Sequence, residues 1–257
     1  MMHTRQIRFD NHLGEKLAGT LDAPSLPNGR GIILGHCFTC SRHTRILMDL
    51  SRNMATHGYL AVRFDFSGNG QSEGDFKKST YSKQIRELQC AVDYIRADGI
   101  SDIILAGHSM GGAAALFAAA QTNGITGVIA LSTGAELLYP ERLLSEARKA
   151  DLYSTGEALF SSRGRDLIIT EDFFADADRY DLLKAISEIR CPILLIYGGQ
   201  DMIIAPDSGR ILHDANPSGT EVFKVDNADH MFSADEDRSK VVDHVVGWAQ
   251  RIVTKNT

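Results

Sequence analysis

Short apolar runs bounded by glycine or polar residues recur along the chain, and stretches with helical spacing of apolar positions fill most of the intervals between them. The run Gly31-Ile32-Ile33-Leu34-Gly35 has no polar side chain, which predicts a strand buried on both faces. The same kind of run recurs at 60–64, 102–106, 127–131, 193–197 and 221–225. Two earlier segments, 5–9 and 16–21, alternate apolar with polar and are joined by the turn-rich Asp10-Asn11-His12-Leu13-Gly14. They predict an antiparallel hairpin at a sheet edge. Helical patterns occupy about 44–57, 80–97, 109–121, 207–214 and 235–252. Buried strands alternating with amphipathic helices predict an α/β fold: a mostly parallel eight-stranded sheet with helices on both faces.

One interval breaks the rhythm. The strand ending near Ser132 and the one starting near Pro192 are separated by about sixty residues, far beyond an ordinary crossover. Residues 134–188 are therefore expected to be an insertion that crosses the sheet, within a single domain spanning 1–257. The insertion holds a helix-friendly run at 141–151, a short hairpin around 161–170, and the bulky residues Leu138, Tyr139, Leu143, Tyr153, Phe160, Phe173 and Phe174. Its charged residues, including Arg163, Arg165, Asp176 and Asp178, read as a solvated outer face.

Composition narrows the function classes. In 257 residues, 27 Lys plus Arg stand against 33 Asp plus Glu, a formal charge of −6, which leaves no basic footprint for nucleic acid or an anionic membrane. The segment Met1-Met2-His3-Thr4-Arg5 and its continuation lack the apolar core of a signal peptide, and the nearly apolar run 111–120 is far short of a membrane span. A cytoplasmic protein without a membrane span is the expectation. Cysteines at 37, 40, 90 and 191 are too few for a disulfide scaffold and lack a second close pair for zinc, so no metal is expected.

The chemistry centres on Gly107-His108-Ser109-Met110-Gly111, which lies between an apolar strand and a small-residue helix. A Gly-x-Ser-x-Gly in that setting predicts a tight, strained turn that lifts the serine hydroxyl to a helix N-terminus. A serine becomes nucleophilic when a base takes its proton and a carboxylate orients that base. Asp201, just past the strand at 193–197, and His230, after the strand at 221–225, supply both in the order Ser, Asp, His. Asp207 and Asp226 are the next candidates for the acid. The oxyanion hole requires the N–H of Met110 and one from the loop His36-Cys37-Phe38-Thr39-Cys40, assigned to Phe38. The glycine-rich stretch at 68–74 lacks the Lys-Ser/Thr ending of a phosphate loop and reads as a structural turn.

With these residues in view the chain resembles serine hydrolases of the α/β-hydrolase fold, from about Ile7 to Val253. Among their branches it is similar to bacterial feruloyl (cinnamoyl) esterases. That likeness rests on the loop 36–39, Arg63-Phe64-Asp65-Phe66 followed by Gly68-Asn69-Gly70-Gln71-Ser72, and Ala228-Asp229-His230-Met231-Phe232-Ser233. The resemblance implies Ser109, Asp201 and His230 as triad, with Phe38 and Met110 as oxyanion donors. It also implies that 134–188 is a small cap whose Phe173, Phe174, Tyr139 and Phe160 form the acyl or aryl pocket. Position 37 is Cys where such esterases usually have Gly, and the string His-Cys-Phe-Thr-Cys resembles the hydrolase half of fusions to osmotically induced peroxide-reducing domains. A C-x-x-C there opens a redox alternative.

The expected activity is hydrolysis of a small-molecule carboxylic ester, with a small aryl or short acyl group, through an acyl-enzyme. Neither metal nor organic cofactor takes part. A thioesterase, amidase, monoglyceride lipase or perhydrolase would use the same triad. A non-catalytic ligand-binding scaffold would be expected to have lost a triad member. The oligomeric state, monomer or homodimer, is left open.

Overall fold

The structure, a computed structural model, describes residues 2–139 and 143–254. Its strands are β1 (His3–Asp10), β2 (Lys16–Ala23), β3 (Arg30–Gly35), β4 (Leu60–Phe64), β5 (Asp102–His108), β6 (Ile125–Leu131), β7 (Glu157–Ser162), β8 (Arg165–Thr170), β9 (Ile193–Gly198) and β10 (Thr220–Val225). Eight of them form one sheet in the order β1-β2-β4-β3-β5-β6-β9-β10, while β7 and β8 make a separate pair. β2 runs antiparallel to both its neighbours, and the remaining pairs of the large sheet are parallel. The mostly parallel eight-stranded sheet and its edge hairpin are thus as expected.

The apolar runs lack alternation because both faces are covered. Ile33, Ile103, Leu105, Val128 and Leu195 point into the core beneath α2 (Tyr81–Arg96) and α3 (Met110–Gln121). Their neighbours Ile32, Leu34, Ile104, Ile129 and Ile196 point the other way, under α1 (Arg45–Thr56) and the long C-terminal helix Asp235–Thr254. In α3 every residue from Met110 to Ala118 is buried, and most are alanine or glycine, so the helix lies close against β5 and β6.

Within 134–188 lie α4 (Glu146–Thr155), the β7–β8 hairpin, α5 (Glu171–Ala177) and α6 (Leu182–Glu188). The helix expected at 141–151 begins later, at Glu146, where the Ser145 side chain accepts from the Arg148 N–H. Positions 141 and 142 lie outside the described residues. The hairpin begins earlier than expected, because Ala158 and Phe160 point inward between exposed neighbours and extend the alternation back to Glu157. Asp176 departs from the expected solvated face: it is buried and accepts from the Ser82 N–H at 2.8 Å, at the start of α2, where helix polarity favours an anion. The later helices are α7 (Ser208–Asp214) and α8, the C-terminal one already given, and a short 3-10 turn lies at Phe76–Lys78.

Behind the C-terminal ends of β3 and β4 sits a buried ion pair. Asp65 is fully buried and Arg42 is 2% exposed. Asp65 accepts from the Arg42 guanidinium, from the Arg42 N–H at 2.7 Å and from the Gln71 N–H at 2.9 Å. The stretch 68–74 closes around this carboxylate as a turn with positive φ at Gly68, Gly70 and Gly74. A side chain at Gly70 would lie 2.1 Å from Asp65 Oδ2. Replacing Asp65 by Ala would leave the Arg42 charge buried and unpaired, so Asp65→Ala is expected to lower stability by about 3–5 kcal/mol, read as a shift of the urea unfolding midpoint.

Candidate active site

Ser109 sits alone between β5 and α3 with φ 54° and ψ −119°, a conformation that a non-glycine residue adopts only under constraint. The constraint is visible on both sides. Its N–H donates to the Leu131 carbonyl at 2.8 Å, and its own carbonyl accepts from Thr133 Oγ1 at 3.1 Å. A Cβ at Gly107 would meet the Gly111 carbonyl at 2.1 Å, and one at Gly111 would meet the His36 carbonyl at 2.4 Å. Only glycine at both positions lets α3 start so close to the loop after β3.

Asp201 follows β9 and His230 follows β10, so the parallel pairing of these strands brings their loops together. His230 Nδ1 lies 2.8 Å from Asp201 Oδ2, with side-chain exposures of 14% and 5%. The ionised carboxylate can only accept, so Nδ1 carries a proton in this bond. Asp201 Oδ1 accepts from the N–H groups of Ile203 and Ile204 at 2.8 and 3.0 Å. Burial alone would raise the pKa of Asp201, but the bonds from His230 and these two N–H groups outweigh it and hold the carboxyl below its ordinary range. Asp207 and Asp226 instead face Arg210 and Lys224.

The loop 36–40 is folded over its own sulfurs, with a Cys37–Cys40 disulfide and a Cys40 N–H to Cys37 carbonyl bond of 3.0 Å. Phe38 between them is buried against Phe76, Phe160 and Phe173, with ring centroids 5.2, 5.7 and 5.1 Å away; the Phe160 ring lies nearly parallel to it. Met110 is buried as the first residue of α3. Phe174 packs edge-on behind Phe173 at 5.2 Å, whereas Tyr139 stands at the surface, 37% exposed. A cavity of about 320 Å³ opens beside Phe38, lined by Leu143, Leu144, Leu159 and Phe160.

Two histidines that periodicity and spacing did not single out hold these loops. His36 is fully buried; its Nε2 accepts from the Phe66 N–H at 3.0 Å, so Nδ1 carries the proton and donates to the Cys37 carbonyl at 2.7 Å. His108 is also fully buried, and its Nε2–H donates to the His230 carbonyl at 2.7 Å, the two rings lying 4.9 Å apart. Both are neutral. Burial, the largest cause in each, pushes the pKa of His36 down to about 4 and that of His108 to about 3. The only sequence signal for either was its place inside a motif. Arg165 is half-buried and donates to the Thr39 carbonyl at 2.9 Å, while Arg163 is exposed as expected but reaches Met231 Sδ at 3.3 Å.

A family model described as "Alpha/beta hydrolase family" matches residues 32–244, well over half of the chain. Human mitochondrial palmitoyl-protein thioesterase ABHD10 is 30% identical over 154 residues, 57% of this chain and 49% of that protein, so the chain matches about half the length of this relative. Thermostable monoacylglycerol lipase of Bacillus sp. (strain H-257) is 20% identical over 221 residues, 83% of this chain and 87% of that one. Among solved structures, the esterase domain of a Rhodothermus marinus protein has 27% identity and a TM-score of 0.76, covering 97% of this chain and 99% of its own. Est1E of Butyrivibrio proteoclasticus, solved with ferulic acid bound, superposes with a TM-score of 0.81 at 22% identity over 96% and 99%, a likeness of fold.

The two buried neutral histidines make stability depend on acid. In the unfolded chain each binds a proton below about 6.5, while the folded chain binds none until about 4 for His36 and about 3 for His108. Between those values the unfolded state holds more protons, so their contribution is complete above about pH 6.5 and is lost as pH falls. Each contributes a slope of up to about 1.4 kcal/mol per pH unit below that point. Urea midpoints measured from pH 7 to pH 5 should fall, and His108→Gln, which retains an Nε2 donor, should flatten the fall.

Proposed function

The chain belongs to the alpha/beta hydrolase family, and from that membership we propose that it is a serine esterase whose triad is Ser109, His230 and Asp201. The observation that carries the proposal is the strained Ser109 at a helix N-terminus, together with a histidine whose Nδ1 proton is held by a buried carboxylate. His230 takes the Ser109 proton as Oγ attacks the substrate carbonyl, and Asp201 stabilises the imidazolium that forms. The N–H groups of Phe38 and Met110 receive the oxyanion. His230 then gives its proton to the departing alcohol, and water repeats the sequence on the acyl-enzyme.

In this reading the chain is one catalytic domain, and residues 134–188 act as its cap. Phe160 and Phe173, with Phe174 behind them, join Phe38 in an apolar wall suited to a small aryl or short acyl group. Tyr139, at the surface, is not assigned to that wall. A thioester substrate is the second reading, supported by the 30% identity to a palmitoyl-protein thioesterase.

An organophosphonate ester probe should add once to the wild type and not to Ser109→Ala, as read by intact mass. Turnover of a butyryl ester should fall about 10⁴-fold or more in Ser109→Ala and His230→Ala, since triad members act as a unit. A phosphonate adduct that persists in Ser109→Ala would place the nucleophile elsewhere. For the pocket, Phe160→Ala should shift relative rates toward octanoyl over acetyl esters by about tenfold, because each methylene in an apolar pocket is worth about 1–3 kcal/mol. Unchanged relative rates would remove Phe160 from the acyl wall.

A further inference from the structure

The tip of the β7–β8 hairpin stands where a solvated turn was expected, yet it spans the two loops that flank Ser109. On one side Ser162 Oγ lies 2.8 Å from Thr39 Oγ1, and Arg165 donates to the Thr39 carbonyl at 2.9 Å and to Asn69 Oδ1 at 3.4 Å. Thr39 adjoins Phe38. On the other side the Arg163 guanidinium lies 3.3 Å from Met231 Sδ, and Met231 adjoins His230. Ser162 pairs with Arg165 across the hairpin, so Arg163 and Gly164 are its two turn residues.

That turn has φ 53° at Arg163 and 72° at Gly164. Two-residue hairpin turns with both φ positive favour Asn-Gly, whose first residue tolerates the left-handed region. Arginine at that place is held in strained backbone, and strain of this kind collects where a side chain's position matters. Among the described residues no carboxylate lies within ion-pair distance of Arg163. The acids of the adjoining segments have other partners: Asp201 pairs with His230, Asp229 Oδ1 accepts from the N–H groups of Met231 and Ser233, and Asp166 accepts from Ser161 Oγ.

We propose that Arg163 recognises an oxyanion, carboxylate or phosphate, on the alcohol or thiol half of the substrate. The side follows from the mechanism, and the inference rests on the esterase reading to that extent. His230 must reach the departing atom to protonate it, so the leaving half lies toward the His230 loop, where Arg163 touches Met231. The acyl half is left to the Phe38 and Phe160 wall on the other side. A guanidinium exposed at a site mouth forks onto a planar carboxylate or a phosphate through two N–H groups, and it also draws such substrates in from solution. Burial keeps His36 and His108 neutral, and the positive charge of Arg163 acts on both in the same direction, consistent with a guanidinium close to the site.

The test compares butyryl esters of 4-nitrophenol and of 5-hydroxy-2-nitrobenzoic acid, which differ by one carboxylate on the leaving group. In Arg163→Gln the ratio of kcat/KM for the carboxylated ester to that for the neutral one should fall about tenfold, mostly through KM, with Arg163→Lys recovering part of it. The wild-type ratio should also fall as salt rises. Benzoate and phenyl phosphate, used as competitors, show which oxyanion the site prefers. A ratio unchanged in Arg163→Gln overturns the inference while leaving the esterase intact. If neither ester is turned over, the esterase reading fails instead. Calorimetric binding of benzoate and phenyl phosphate then decides the anion site alone: binding weakened in Arg163→Gln supports it, and binding that is equal or absent in both proteins overturns it.

Discussion

The first turn of α3 lies close against the loop after β3, and the site depends on that approach. Glycine at 107 and 111 lets the backbone of Ser109 turn through a region of φ and ψ that its side chain resists. The turn is kept in that state by bonds on both sides, from the Ser109 N–H to β6 and to its carbonyl from Thr133. Thr133 is held in turn, its carbonyl accepting from the Tyr197 hydroxyl at 2.9 Å. The strain is thus distributed over three adjacent parallel strands, β5, β6 and β9, whose many ladder bonds outweigh it. The result is a serine at the N-terminus of α3, with Gly111 of the first turn set against the carbonyls of Gly35 and His36.

The loops around Ser109 are positioned by neutral polar groups within the core. His36 ties the loop after β3 to the strand end at Phe66, and His108 ties the Ser109 turn to the backbone of His230. Each acts in one tautomer, dictated by the partner it meets: a backbone N–H for His36 Nε2 and a carbonyl for His108 Nε2. A charged imidazole would lose that match at Phe66 and would have to be desolvated completely. The buried Arg42 and Asp65 pair does similar work one layer further back, joining the end of the β3 loop to the glycine-rich turn after β4.

The insertion adds to the sheet what the sheet itself lacks. In the proposed reading the strand ends present a nucleophile, a base and an acid, but little that would distinguish one acyl group from another. The β7–β8 hairpin and α5 bring Phe160 and Phe173 against Phe38, so the residue assigned an oxyanion donor is also part of the apolar wall. The same hairpin sets two guanidinium groups between the flanking loops. In the proposed reading, catalytic geometry and selectivity are carried by different parts of the chain that meet at loop 36–40.

The alternation of buried runs with helical patterns, the long gap before Pro192, and the Gly-x-Ser-x-Gly between strand and helix were legible in order along the chain. They are local signals: strand burial, helix period and turn strain each act over a few residues. Asp201 and His230 were legible as the residues that follow the last two strands of the sheet, since catalytic groups gather at such ends. What the chain order did not reveal concerned pairs distant in sequence. Asp176 read as a surface acid because nothing in its neighbours announces Ser82, and the contacts of Arg165 with Thr39 and of exposed Arg163 with Met231 were not legible because those partners lie far away along the chain. Likewise the tautomers of His36 and His108 are settled by Phe66 and His230, groups that only folding brings within reach. Local backbone preference is written in adjacent residues, whereas the partner of a polar side chain is chosen by whatever burial leaves beside it.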